Sequence, residues 1–322
     1  MDQLLAGLRA AAEPTRLRLL ALCARAELTV TELTQILGQS QPRVSRHLKL
    51  LSEAGLIDRY REGAWAYYRL ASGGPGVALA RTLIDLAPAD DAQLGRDLER
   101  LESIKAARAR AAAEYFRANA ERWDEIRSLY VPESEVETAL LRLFGEAPIA
   151  DFLDIGTGTG RILEIFAGRV ERGLGVDLSH DMLRLARARL EQAGVRHCQV
   201  RHGDMYNLAI PPASFDVVVI HQVLRYAEEP AAVVGEAARM LKSGGLLAIV
   251  DFASHEVEQL RAEHRHRWLG FDDAEVGRWR LAAGLEPGPV EALPGDPVTV
   301  KVWTARRPQR AAAPALEKET AR

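Results

Sequence analysis

The 322-residue sequence predicts an α/β chain of two unlike halves: a small helical domain with a β-hairpin, then a mostly parallel sheet covered by helices. Three observations carry that reading. The length favours two domains, each able to bury its own core. Residues 14–70 read as helix, helix, basic helix and hairpin. From the glycine-rich stretch LDIGTGTG (153–160) onward, short apolar runs alternate with amphipathic helical stretches.

The first elements follow from spacing. EPTRLRLLALCARAEL places Leu17, Leu20, Ala21 and Ala24 on one helical stripe. TVTELTQILG gives a second, short helix with Thr31 as cap and Gly38 as stop. In QSQPRVSRHLKLLSEAGL (39–56), Ser40 caps a third helix and Pro42 falls in its first turn, where the missing N–H costs little. Val44, Leu48 and Leu51 share one face of this helix. Arg43, Arg46 and Lys49 share the other, with Gln41 and Ser45 at its edges. Such a face suits DNA: arginine forks match guanine edges, glutamine matches adenine, and hydroxyl and ammonium groups reach phosphates. GLIDRYREGAWAYYRL then alternates around Arg61-Glu62-Gly63, a hairpin signal that puts Arg61 at a wing tip. The set is a winged helix-turn-helix. A basic helix face alone would more simply be a solvated surface; the turn, basic helix and wing together favour DNA.

From PTRLRLL through SQPRVSRHLKLLSEAGLI to REGAWAYYRL, about 65 residues, the stretch resembles the ArsR/SmtB family of bacterial repressors. The resemblance implies double-stranded operator DNA as partner and a homodimer. It also raises metal sensing. The family's thiolate pair lies in the second helix region, where ELTVTEL has no thiol. Its other site, on the helix after the wing, needs histidines, and VALARTLIDLAPADDAQLGRDLERL has none. No metal site is expected, and Cys23 reads as a small buried hydrophobe.

SGGPG (72–76) reads as a linker. Beyond it, Leu94, Leu98, Leu101 and Ile104 form an apolar stripe, read as a dimer face with packing onto the same domain as the alternative. The expected division is 1–85 for the winged domain, 86–130 for a helical connector and lid, 131–305 for the sheet domain and 306–322 for a disordered tail.

In IADFLDIGTGTGRILEIFAGR a strand ends at Asp154 and a turn carries Gly156, Gly158 and Gly160. A dinucleotide fingerprint would want glycine at 161, which is Arg. GLGVDLS is a second strand ending at Asp177, VRHGDMYNL supplies Asp204 and Met205, FDVVVIHQVLRY is a further strand, and AARMLKSGGLLAIVDF reads as helix, Gly-Gly turn and strand. VTVKVW (298–303) suits a final antiparallel edge strand. Residues 115–255 resemble class I S-adenosylmethionine-dependent methyltransferases acting on small molecules. That resemblance implies a Rossmann-like sheet binding S-adenosylmethionine or S-adenosylhomocysteine through Asp154, Gly156, Thr157, Gly158, Gly160, Asp177, Leu178, Met182, Asp204, Met205 and His221. It implies Tyr115 and Trp123 as lid residues, although on spacing alone they could equally be core aromatics. For catalysis, His221, Tyr226 and His255 lie near strand ends, although each could equally shape the pocket; methyl transfer needs positioning more than a base. HEVEQ misses the H-E-x-x-H zinc pattern, His264 and His266 would diverge on a helix, and arsenic methylation is set aside because Cys198 is the only thiol in this half.

The formal charge of −3 hides an uneven distribution: residues 1–70 hold ten Lys/Arg against seven Asp/Glu. Two cysteines make no disulfide framework, and no run approaches about 18 uncharged apolar residues, so a cytoplasmic protein without membrane spans is expected. The expected function is a DNA-binding regulator with an adenosyl-sulfur ligand as effector or methyl donor. A working small-molecule methyltransferase that controls its own expression is the alternative.

Overall fold

A computed structural model describes residues 1–62, 65–71, 74, 76–88, 90–123 and 131–309. The chain forms two compact units, Met1–Ala112 and Ala113–Arg322, so the expected connector 86–130 is divided between them.

In the first unit, α1 (Asp2–Ala11) precedes α2 (Pro14–Cys23), which opens with its proline in the first turn and with the Glu13 carboxylate accepting the Arg16 N–H. This helix buries Leu19, Leu20, Ala21, Leu22 and Cys23, so of the expected stripe Leu20 and Ala21 are buried whereas Leu17 and Ala24 are exposed. The buried arc is therefore shifted from the expected stripe, because α2 is packed by the helices Gln41–Glu53 and Gly76–Asp85, an arrangement that spacing alone does not select. The next helix, α3 (Val30–Leu37), is capped by Thr29, not Thr31: the Thr29 hydroxyl accepts the Glu32 N–H at 3.3 Å and the Glu32 carboxylate accepts the Thr29 N–H at 2.9 Å. The cap moves back because Thr29 ends the short strand β1 (Leu28–Thr29) and is already extended. Gly38 stops α3 in the left-handed region, as expected. Ser40 begins α4 (Gln41–Glu53) with extended backbone, but its side chain makes no capping bond.

Strands β2 (Ile57–Glu62) and β3 (Trp65–Leu70) pair from Ile57↔Leu70 to Glu62↔Trp65, and β1 adds to β3. The turn residue Gly63 and the Arg61 side chain lie outside the described residues, as do 72, 73 and 75 of the expected linker; Gly76 already starts α5 (Gly76–Asp85). In α6 (Ala92–Asn119), Leu101 is fully buried, and Leu98 and Ile104 pack on the same core as Leu19, Leu33, Leu48 and Leu51. The expected dimer stripe is thus largely consumed within its own domain. Polar groups fasten it there: the Arg18 guanidinium donates to the buried Asp97 carboxylate at 2.8 Å, and Arg100 donates to the Ile36 carbonyl at 2.8 Å.

The second unit opens its fold with α7 (Glu133–Phe144), then alternates strands and helices: β4 (Ile149–Ile155), α8 (Arg161–Phe166), β5 (Val170–Asp177), α9 (His180–Gln192), β6 (Cys198–His202), β7 (Phe215–His221), α10 (Pro230–Met240), β8 (Leu241–Phe252), α11 (Gln259–His264), α12 (Asp273–Ala282), β9 (Glu286–Leu293) and β10 (Val300–Arg306). The seven-stranded sheet has the order β6-β5-β4-β7-β8-β10-β9. Strands β6, β5, β4, β7 and β8 are parallel, and strand order reverses at β4, which puts the loop after β4 where open sheets take ligands. The antiparallel strand β10 is not the edge: it sits between β8 and β9, and β9 was not expected because Pro287 and Pro289 interrupt it. Prolines fit an edge, where a missing donor breaks few ladder bonds. Nor is Gly244-Gly245 a turn: both lie within β8, where pairing with β7 shifts register between Phe215 and Val217. The tail begins later than expected, since Arg307 bonds Gly245 and Gly244 through its backbone; residues 310–322 lie outside the described residues. Phe152, Phe166, Val219, Val250 and Val302 belong to one core cluster on one face of the sheet.

Candidate nucleic-acid face and cofactor site

On α4 the two faces separate cleanly. Val44, Leu48 and Leu51 are fully buried, while Gln41, Arg43, Ser45, Arg46 and Lys49 are exposed. Lys49 lies 3.7 Å from Glu53 one turn on, a solvent-exposed pair too weak to hold the ammonium. His47 sits at the edge, 3.7 Å from Glu13; burial and the flanking arginines keep it below its ordinary range, so it adds no charge at neutral pH. The sequence reading passed over Arg59, which is exposed on β2; the charge was visible but not which strand face is open.

In the second unit, the chain leaves β4 through three glycines with positive φ, Gly156 (71°), Gly158 (53°) and Gly160 (77°). The turn is fastened to β5: the N–H groups of Gly156 and Thr157 donate to the Val176 carbonyl at 2.8 and 2.9 Å, and the Gly158 N–H donates to the Asp177 carboxylate at 2.9 Å. A Cβ on Gly156 would stand 2.3 Å from a Val223 methyl, and one on Gly158 would stand 3.3 Å from the Trp123 ring nitrogen. Asp154 is fully buried beneath the turn, and the Thr157 hydroxyl is buried with no hydrogen-bond partner among the described residues.

Beside the turn, Asp177 also accepts the Ser179 N–H at 2.8 Å; burial raises its pKa, partly offset by the Ser179 and Gly158 amides. Leu178 is 63 % exposed, an apolar side chain standing open next to that carboxylate. The Gly203 N–H donates to the Asp177 carbonyl at 3.1 Å, which brings exposed Asp204 and half-buried Met205 alongside. Met182 is buried in a cluster with Trp123, Ala120, Phe116 and Tyr226. Trp123, Phe116 and Tyr226 form a ring contact set at 5.2, 4.7 and 6.1 Å. Trp123 is buried in this cluster with its ring nitrogen toward Gly158, while the Tyr115 side chain lies outside the described residues.

The three candidate catalytic residues stand in different surroundings, with Tyr226 and His255 linked through the rings of His266 and Phe252. His221 is buried at the end of β7, its Nε2 3.4 Å from a Glu133 carboxylate oxygen. Tyr226 belongs to the aromatic cluster. His255 lies beyond β8, where its Nδ1 accepts the Val257 N–H at 3.1 Å and burial lowers its pKa to about 4. His264 and His266 do not diverge: α11 ends at His264, Arg265 turns through φ 57°, and the two rings come to 6.0 Å. Among the described residues no group of three or more His, Cys, Asp or Glu could hold a metal ion, and no helix is long and apolar enough to cross a membrane. Sequence reasoning also missed the buried pair Arg225–Asp251, at 2.8 Å, with Arg225 also donating to Gln222 at 2.7 Å. Its members are 26 positions apart, beyond any local pattern.

Residues 13–59 match the family described as bacterial regulatory protein, arsR family, and residues 153–249 match the methyltransferase domain. Over 60 residues the chain is 53 % identical to arsenic resistance transcriptional regulator ArsR1 of Pseudomonas putida, covering 18 % of this chain and 47 % of that protein. It is 32 % identical over 200 residues to ubiquinone biosynthesis O-methyltransferase of Thiobacillus denitrificans, covering 56 % of this chain and 84 % of the relative. Among solved structures it is similar to a chain of the Haloferax volcanii complex of the Trm112 methyltransferase activator with a methyltransferase, at TM-score 0.51 and 21 % identity, covering 60 % of this chain and 98 % of the other. That likeness shows the fold of the sheet domain.

Proposed function

This chain belongs to the class I methyltransferase family with an arsR-family helix-turn-helix ahead of the sheet domain, and from that premise we propose a DNA-binding regulator whose methyltransferase domain takes S-adenosylmethionine or S-adenosylhomocysteine as effector. The observation that carries the proposal is the glycine turn tied to Asp177, on the same chain as an α4 whose basic face is open.

The residues present fit such a ligand. Backbone at Gly156–Gly160 is bare of side chains at its three glycines, and the Thr157 hydroxyl has no hydrogen-bond partner among the described residues. Asp177 retains acceptor capacity for two ribose hydroxyls. Leu178 and Met205 offer apolar walls for an adenine, and Asp204 a carboxylate for its amino group. When bound, the methylated form supplies a sulfonium with a transferable methyl, and the demethylated form a neutral thioether. Aromatic faces attract cations, so the Trp123–Phe116–Tyr226 cluster gives a physical means of telling the two apart. Differential binding to two states is what effector control requires. In the DNA half, Gln41, Arg43, Ser45, Arg46 and Lys49 would enter the major groove, with Arg61 on the wing. A homodimer would set two such helices about 34 Å apart on a two-fold operator.

Titrating either ligand form into the protein bound to its own promoter DNA should change operator affinity by roughly 5- to 150-fold, about 1–3 kcal/mol. If neither form alters the gel shift, effector control is wrong. The O-methyltransferase relative, covered over 84 % of its length, favours a second reading: a working methyltransferase on a small molecule with built-in expression control. S-adenosylhomocysteine accumulating with cell extract as acceptor would favour that one.

A further inference from the structure

Charge on the second unit is sorted between the two edges of its sheet. Residues 180–202, which run through α9 and β6, hold five arginines and two acids on a chain of formal charge −3. The opposite edge strand, β9, holds Glu286 and Glu291 and no basic residue. Leu183, Ala186 and Leu190 of α9 share a core with Cys198 and Val200 of β6. Arg184 and Arg187 therefore stand on the outer face of the helix, and Gln199 and Arg201 on the far side of the strand. Arg196 lies in the connection between helix and strand. Arg184, Arg187, Arg196 and Arg201 are all exposed, and none forms an ion pair among the described residues; Arg201 donates to the neutral Gln199 at 3.2 Å.

Neighbouring cations are committed elsewhere. Arg189 donates to the Thr159 hydroxyl at 2.8 Å and lies 3.6 Å from Glu164, and Arg117 lies 3.5 Å from Asp181. Glu191 is the exposed acid within the stretch, while Glu171 at the start of β5 and Asp204 beyond β6 mark its limits. Scattered surface charge needs no partner, and charged side chains also keep an open strand edge from pairing with another chain. Four unpaired arginines on the helix, loop and strand of one edge go further: gathered like charges repel, and a polyanion removes that cost. The polyanion that fits is the backbone of a DNA duplex. Guanidiniums grip phosphate oxygens through parallel N–H bonds. A duplex held by the exposed basic face of α4 would also meet this unit at the high effective concentration that a covalent link confers.

We propose that the α9–β6 edge is a second DNA-contacting surface, which binds phosphates flanking the operator without reading sequence and adds salt-dependent affinity to the contacts of α4. This rests on the DNA half of the reading above and not on its cofactor half, and its test separates the two surfaces.

The full chain, its Arg46→Ala variant and a fourfold variant (Arg184→Gln, Arg187→Gln, Arg196→Gln, Arg201→Gln) are titrated by fluorescence anisotropy, across a salt series, with promoter DNA extending several turns past the operator. Each phosphate contact contributes about 0.9 to the slope of log affinity against log salt, so the fourfold variant should lose roughly two to four from that slope and about tenfold in affinity, at an unchanged melting temperature. Scrambling the flanking sequence should change nothing, and trimming the duplex to the operator should bring wild type and variant together. Should the fourfold variant fold poorly, Arg184→Gln with Arg187→Gln should show about half the effect. An unchanged slope, or an equal loss on the trimmed duplex, overturns the surface and leaves α4 standing. Weakened binding in the fourfold variant with full affinity in Arg46→Ala keeps the surface and counts against α4 as the reading helix. Loss of self-association in light scattering with DNA affinity intact assigns the edge to a second copy and overturns the proposal. Wild type that binds no promoter DNA overturns both.

Discussion

Arg46 illustrates what one side chain can reveal. It stands on the exposed face of α4, opposite three fully buried aliphatic residues, and no packing depends on its guanidinium. Arg46→Ala should therefore weaken operator binding by ~1–3 kcal/mol if the residue reads a base, and leave the melting temperature where it was. Fluorescence anisotropy at fixed salt measures the first and calorimetry the second; unchanged affinity would mean that this face does not enter the groove. The residue was legible in the sequence because helical spacing alone separates 43, 46 and 49 from 44, 48 and 51. Arg225 was not. Its role as the buried partner of Asp251, lying 4.3 Å over the Phe252 ring, depends on β8 running beside the turn that carries it.

At the scale of elements, the turn after β4 is where backbone and ligand chemistry meet. Two backbone N–H hydrogen bonds to the Val176 carbonyl hold the turn, and its three glycines combine positive φ angles with close neighbours where a Cβ would sit. Gly156→Ala would push a methyl into Val223 and strain a φ of 71°, a backbone cost of order 1–3 kcal/mol. The expected outcome is at least a tenfold loss of calorimetric affinity for S-adenosylhomocysteine in a chain that still folds; full affinity would show that the turn does not approach the ligand. Glycine spacing made this element readable. Other boundaries were less so. Thr29 outcompetes Thr31 as a cap because β-pairing to β3 already extends it, and β9 escaped notice because two prolines suit an edge that only the assembled sheet defines.

For the whole molecule, the imidazoles buried beyond β8 predict how stability depends on pH. In the unfolded chain His255 binds a proton near 6.5, whereas in the folded chain it does so only near 4, and His266 is shifted in the same direction. Within that window the unfolded state holds more protons, so stability is fully present above 6.5 and is lost as pH falls toward 4. Asp177 acts oppositely, since its raised pKa favours the folded state on acidification, whereas His47 and His264, also lowered, act with His255 and His266. Urea midpoints should therefore drop across this range, and less steeply in His255→Asn; parallel profiles would remove His255 from the account.

The sequence by itself determined the helix, helix, basic helix and hairpin order of the first domain, the amphipathic α4, the glycine turn and the acids that follow it, because each rests on local spacing. Only the tertiary structure decided that the 98–104 stripe is spent on its own core, that Trp123 lies over Gly158, and that His266 meets Tyr226. Those partners are far apart in the chain. Strand order, and the way packing closes loops over the ends of the strands, brings them together, and no local periodicity encodes that.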